Sequence, residues 1–325
     1  MKGDNHLNSM NSSMDSSNSK RLGHGHVSGS YRIFVLFLVA NLLVGCVTIP
    51  YELGGRIEND GSYGIPQGEL QIEHGRPHWF LDASDWIWPG SWLGKLLLWN
   101  YKVDSHELSP ETENAIKQYI AANDLKNVKV RLNQYRPGGE WKRLFKNKSV
   151  GAGWRYTLGI LSTIYYTIFP GRFFGGDNYN PYTHTINIYS DIPAVALHEG
   201  GHAKDFARST YKGTYAFFTS LPLVPLYSEA VATSDALSYL RSEQNLQGEK
   251  GAYNILYPAY GTYVGGSASL FFPKYMWLIS VAAAIPGHIA GRIRSATLAP
   301  EDQLPPEDET TTHSATINDA APPEE

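Results

Sequence analysis

The sequence predicts an α+β chain, mostly helical, with a small sheet, a buried motif helix and additional hydrophobic helices. Three observations point that way. Residues 127–135 and 183–191 each alternate polar and apolar side chains, the period-two pattern of half-buried strands. Helix-start chemistry recurs, at Ser109-Pro110-Glu111 and at Asp191 ahead of Pro193, where the carboxylate is placed to cap the helix that follows. Three runs without a charge, residues 156–171, 213–228 and 275–291, fall short of the ~20 residues that cross a bilayer and read as buried core helices.

Taken in order, residues 1–30 are rich in Ser, Asn, Gly and His, lack apolar periodicity and read as disordered. Lys20, Arg21 and Arg32 then precede a short apolar run from Ile33, the pattern of a secretory signal. The run ends Leu43-Val44-Gly45-Cys46, which resembles the lipobox of bacterial lipoproteins. That resemblance implies a signal peptide over residues 1–45 with a long n-region, cleavage before Cys46, and lipid on its thiol. Cys46 is the only cysteine, so an intramolecular disulfide is excluded. Val47 is not the Asp that keeps many such lipoproteins at the inner membrane, so the resemblance favours the outer membrane, facing the periplasm, over an integral inner-membrane protein.

Residues 46–105 read as a Gly- and polar-rich tether followed by an aromatic segment with Trp79, Trp86, Trp88, Trp92 and Trp99. Core packing is the expectation for these rings, ahead of a belt at headgroup level. Residues 106–298 read as the main domain. It opens with a helix whose apolar face is Ile116, Tyr119 and Ile120, and the two alternating runs are expected to neighbour each other in the sheet. Gly261, Gly265, Ala283, Gly287 and Gly291 recur at four-residue spacing, which permits close helix approach in a soluble core or in a membrane. Residues 299–325 are Pro-, Glu- and Thr-rich and read as a disordered acidic tail.

The chemistry concentrates at His198-Glu199-Gly200-Gly201-His202. Residues four apart share a helical face, so both imidazoles can point at one ion, ~2.0–2.1 Å from a zinc. Glu199, beside the first ligand, can act as general base on water that the metal activates. A third ligand is needed, and a His six residues after His202 is excluded because Arg208 stands there. Asp205 lies ~10 Å along the helix from His198, too far to share the ion, and reads as an outer-shell or structural group. Glu229, in a small-residue helical segment beyond Pro222 and Pro225, is the better candidate.

These residues resemble the gluzincin metallopeptidases, in which His-Glu-x-x-His on one helix is followed by a Glu ligand on a later helix. The resemblance covers about residues 127–241 and rests on residues 198–202 plus Glu229. It implies a zincin-like core, with Zn2+ held by His198, His202 and Glu229 and with Glu199 as the catalytic base. One departure is that Thr233 stands where such families often place an Asp; Asp235, two positions on, is the remaining outer-shell candidate. The oxyanion donor is left open among Tyr253, Tyr257, Tyr260, Tyr263 and His288.

The implied function is a membrane-anchored, zinc-dependent endopeptidase of the bacterial cell envelope. It would take a protein or peptide substrate and meet the membrane through the lipid and through hydrophobic helices. The alternative is a non-catalytic envelope lipoprotein whose metal site is structural. Nucleic acid is not an expected partner. Of 27 Lys/Arg and 31 Asp/Glu, the leader takes four and two and the tail none and eight, which leaves a nearly neutral body of 23 against 21.

Overall fold

The computed structural model describes residues 63–83, 87–221, 223–270 and 273–302. The signal, Cys46, Trp86 and the tail beyond residue 302 lie outside them. The described residues form a mostly helical structure around one mixed sheet of four short strands. Strand β1 (Ile72–His74) pairs in parallel with β2 (Lys129–Leu132), and β2 in parallel with β4 (Thr185–Ile188). At the edge, β3 (Asn178–Asn180) runs antiparallel to β4. The register sets Val130 beside Ile186 and Leu132 beside Ile188, one apolar face made by both alternating runs.

The other face corrects the expectation of half-buried strands. Lys129, Arg131, Thr185 and Asn187 are buried too, beneath a helix (Pro137–Lys146). Charges taken out of water must be paired, and these are. Lys129 meets Glu73 at 2.7 Å and Arg131 meets Glu140 at 2.7 Å. Arg143 donates to the carbonyls of Thr183, Asn127 and His184 at 2.7, 2.9 and 3.1 Å.

Five helices position the site and are labelled in chain order. Helix α1 (Pro89–Leu98) is followed by α2 (Pro110–Ala122), which lies on the apolar face of the sheet. Helix α3 (Pro193–Arg208) leaves β4 and carries residues 198–202; α4 (Pro225–Ser242) and α5 (Leu246–Ser269) pack on it. A sixth, α6 (Met276–Thr297), returns along α5.

Asp191 does not cap α3, whose N-cap Ile192 makes no side-chain bond. Its carboxylate faces the start of α2 instead. There it accepts from the Ser109 backbone N–H at 2.9 Å, the Ser109 hydroxyl at 2.5 Å and the Thr112 hydroxyl at 2.7 Å, while Lys102 donates at 2.9 Å. The residue that ends the strand thus clamps a neighbouring helix onto the sheet.

Glycine lets the helices meet. A Cβ on Gly200 would lie 2.6 Å from the Tyr119 ring of α2, and one on Gly201 3.0 Å from the Ala232 backbone of α4. The four-residue repeat works the same way between α5 and α6. Cβ atoms on Gly261 and Gly265 would strike Ala283 and Ser280 at 2.4 and 2.6 Å, and those on Gly287 and Gly291 the Tyr257 and Tyr253 carbonyls at 2.5 and 2.3 Å.

Two expectations about apolar residues fail. Trp79, Trp92 and Trp99 are well exposed and Trp88 partly so, which rules out core packing for these rings. The run at 275–291 buries one side only, leaving the opposite side of α6 open. The run at 213–228 is divided between a short helix (Lys212–Phe218) and the start of α4.

Candidate metal centre

Helices α3 and α4 bring three ligand-type side chains to one point. His198 Nε2 lies 3.0 Å from one carboxylate oxygen of Glu229, His202 Nε2 lies 3.4 Å from the other, and the two imidazole nitrogens are 3.1 Å apart. Ligand atoms ~2.0–2.1 Å from a tetrahedral zinc are separated by about 3.3 Å, so these spacings, which reach both oxygens of the one carboxylate, are those of side chains gathered around a single ion. His198, His202 and Glu229 are the group of metal-ligating side chains that the described residues hold within 4.8 Å. The donor set, two imidazoles and one carboxylate with a side open to a cleft, suits a zinc that keeps an exchangeable position.

Local sequence accounts for each placement. His198 and His202 sit one turn apart on α3, and Gly201 between them admits the α4 backbone that carries Glu229 inward. The two helices are also tied beyond the ligands. Asp235 accepts from Lys204 of α3 at 2.5 Å and from the Tyr119 hydroxyl of α2. Asp235 thus braces the helices, where the sequence suggested an outer-shell partner of the His/Glu group. That place is taken by Thr233, whose hydroxyl lies 3.3 Å from His198 Nδ1. A partner on the far ring nitrogen fixes the tautomer and turns Nε2 to the ion. Thr233→Val should therefore lower zinc affinity by ~10–100-fold without unfolding the protein, which competition with a chromophoric chelator would measure.

Asp205 accepts from the Tyr215 hydroxyl, and its charge acts on His202 without touching the ion ligands. Glu199 is buried beside the ligands, and the backbone N–H of Tyr179 on β3 donates to its carboxyl. Burial, reinforced by the charges of Glu229 and Asp177 against the opposing pull of His202, pushes Glu199 up to about 8. Burial alone would pull His202 down, but the Glu229 carboxylate overrides it and raises the ring to about 9. Glu229 is the converse case. Burial disfavours its charge, yet the two imidazoles hold it well below the usual carboxylate range.

The centre opens on a cleft of about 400 Å³ between the edge strand β3 and the helices, lined by Asp177, Tyr179, Glu199, His202, Glu229 and Tyr263 among others. A second chamber of about 230 Å³ behind it shares Asp177, Glu199 and Tyr263. Asp177 is fixed by the backbone N–H groups of Tyr189 and Ser190 at 2.6 and 3.0 Å and by the Ser190 hydroxyl at 2.5 Å. Tyr263, on α5, hydrogen-bonds Glu229 and lines both spaces.

Of the open candidates, Tyr263 hydrogen-bonds Glu229 and faces the open cleft, while Tyr260 lines only the second chamber with His198 and Glu199. His288 donates to the Leu97 carbonyl at 2.8 Å, and Tyr253 bonds Arg241. Sequence reading passed over Asp177 and the part played by Thr233. For Thr233 a signal existed, since it follows Glu229 by one helical turn and shares its face. Comparison with protein-family models, with curated proteins and with solved structures returns no match for this chain.

Proposed function

We propose that the protein is a zinc-dependent endopeptidase of the gluzincin type. The observation that carries the reading is the convergence of His198, His202 and Glu229 on one point, with Glu199 beside them at the floor of an open cleft. The layout supports it as well. Helix, strand, insertion, strand and motif helix follow in that order, and a later helix supplies the Glu, which is the order expected of a zincin-like core.

Zinc held by the three ligands would supply a Lewis acid that polarises a peptide carbonyl and acidifies water. The chain's own groups handle substrate and protons. Glu199, in its ionised form, takes the proton of the attacking water and returns it to the leaving amine. Tyr263 places a hydroxyl at the rim of the centre, where a donor can stabilise the developing oxyanion. The outer edge of β3, on the side away from β4, offers backbone groups with which an extended peptide can pair.

Two measurements test this reading. Purified protein should bind about one zinc per chain and hydrolyse an unfolded protein substrate, losing activity to a chelator and regaining it with zinc; stoichiometric zinc without hydrolysis would leave a structural metal site. Tyr263→Phe, which keeps the ring, should retain zinc and lower kcat by ~10²-fold, the loss typical of one oxyanion donor. An unchanged kcat would remove Tyr263 from the mechanism.

A further inference from the structure

The sides of α1 and α6 turned away from the core leave an apolar surface that the metal centre does not use. On α6, Leu278, Ile285, Ile289 and Ile293 are 50–58% exposed and, with Ala282 between, run as one ridge at three- and four-residue steps. The opposite side is committed. Gly287 and Gly291 lie against α5, and His288 bonds the carbonyl of Leu97 at the end of α1. Helix α1 packs against α5 and α6 and adds Trp92 and Leu96, 59% and 67% exposed. Trp99 joins the two helices, stacking on His288 at 4.0 Å with the Arg292 guanidinium 4.5 Å over its ring.

The segments that build this surface carry charge of one sign. Residues 87–103 and 251–300 contain Lys95, Lys102, Lys274, Arg292 and Arg294 and not one Asp or Glu, in a chain with more acidic than basic residues. Glu111, Asp191 and Glu243 approach from other elements beside Trp99 and Arg292, and Asp191 pairs with Lys102. The apolar ridge, its aromatic rings and the remaining basic charges on the ridge's own segments are what an anionic lipid surface selects. A second copy fits worse, because a two-fold contact would set the basic residues of one copy against those of the other. The chain outside the described residues is also suited to lipid. Sixteen residues lie between Cys46 and Tyr63, a reach of up to ~55 Å, so an anchor near residues 33–46 can hold the surface at a bilayer.

We infer that α1 and α6 form a lipid-docking face on which the protein rests against an anionic bilayer, with α6 lying along the membrane and not across it. The lengthwise ridge sets the orientation. Leu278 and Ile293, ~22 Å apart on the helix, are both exposed on the same side.

The test uses the full chain in a Cys46→Ser background, which removes the only thiol. Single cysteines at Leu278, Ile289, Ile293 and, as control, Lys126 carry an environment-sensitive fluorophore. The chain is mixed with phosphatidylethanolamine/phosphatidylglycerol vesicles containing quencher lipids at graded depths. The three face labels should shift to the blue and be quenched at similar shallow depths, while the Lys126 label stays in water. Ile285→Glu/Ile289→Glu should weaken partitioning at least tenfold with unchanged helix content.

Several results would overturn the proposal. Face labels could stay in water while the chain is bound through residues 33–44. They could be shielded without vesicles, which means a second copy if dilution reverses it and the chain's own apolar run if not. Depths at Leu278 and Ile293 differing by ~20 Å would mean that α6 crosses the bilayer.

Discussion

Glu199→Gln should lower the hydrolysis of an unfolded protein substrate by ~10²–10⁴-fold, the contribution typical of a positioned general base. The amide has the shape of the carboxylate and can still accept from the Tyr179 N–H, so the buried position stays filled and bonded. His198, His202 and Glu229 are untouched, and zinc stoichiometry should remain at the wild-type value. The pairing of full metal with lost turnover is what distinguishes a base from a ligand. Residual activity within a few-fold of wild type would remove Glu199 from the mechanism, whereas zinc loss would mean that it supports the ion. Because burial raises this carboxyl to about 8 in the metal-free protein, its base form there is the minor form below that pH. The cation's own charge should pull it down, so activity should rise with pH below 7 in the zinc form.

Glu229→Ala should weaken zinc binding by more than the ~10–100-fold usual for an outer-shell change, because it removes one of the three proposed ligands. It should also alter how binding depends on pH. In the wild-type metal-free protein Glu229 holds the His202 proton up to about 9, and a cation must displace that proton. Zinc uptake near pH 7 should therefore release the His202 proton and, as the cation pulls Glu199 down, much of a second from that carboxyl, and affinity should climb with pH until about 9. Without Glu229 the largest effects that raise His202 are gone, leaving burial opposed only by the weaker charges of Glu199 and Asp205, so its proton leaves at lower pH and the proton release at pH 7 should shrink. Calorimetry in buffers of different ionisation enthalpy measures the released proton directly. Unchanged affinity and unchanged proton release in the variant would exclude Glu229 as a ligand.

How much of this could be read from the chain depended on whether a residue's partner is local. The shared face of His198 and His202 is a matter of helical period, and the pairing of residues 129–132 with 185–188 follows from alternation. Glu229 could be picked out because a polar residue among Ala230, Ala232 and Ser234 has a reason to be there. Arg131 and Lys129 were legible only as polar positions. A charge that faces water and one that faces Glu140 or Glu73 through the protein look alike in a sequence. The same limit applied to Asp191, whose partners lie about eighty residues earlier, and to Tyr263, one of several tyrosines at helical spacing on α5. The exposed tryptophans were misread for a related reason. Aromatic density signals burial against something, and the sequence does not say whether that something is protein.

The tie between Lys204 and Asp235, with Tyr119 as its third member, has a bearing on how the centre behaves when emptied. Lys204 follows His202 by two residues and Asp235 follows Glu229 by six, so the strut joins the two ligand-bearing helices a short way from the ion. It needs no metal to form. A chelated protein should keep its ligands facing one another, and zinc should return to a seat already shaped for it, with little ordering left to oppose binding. The metal would then be a replaceable part of a standing frame, unlike the ion of a zinc finger, whose fold disappears with it.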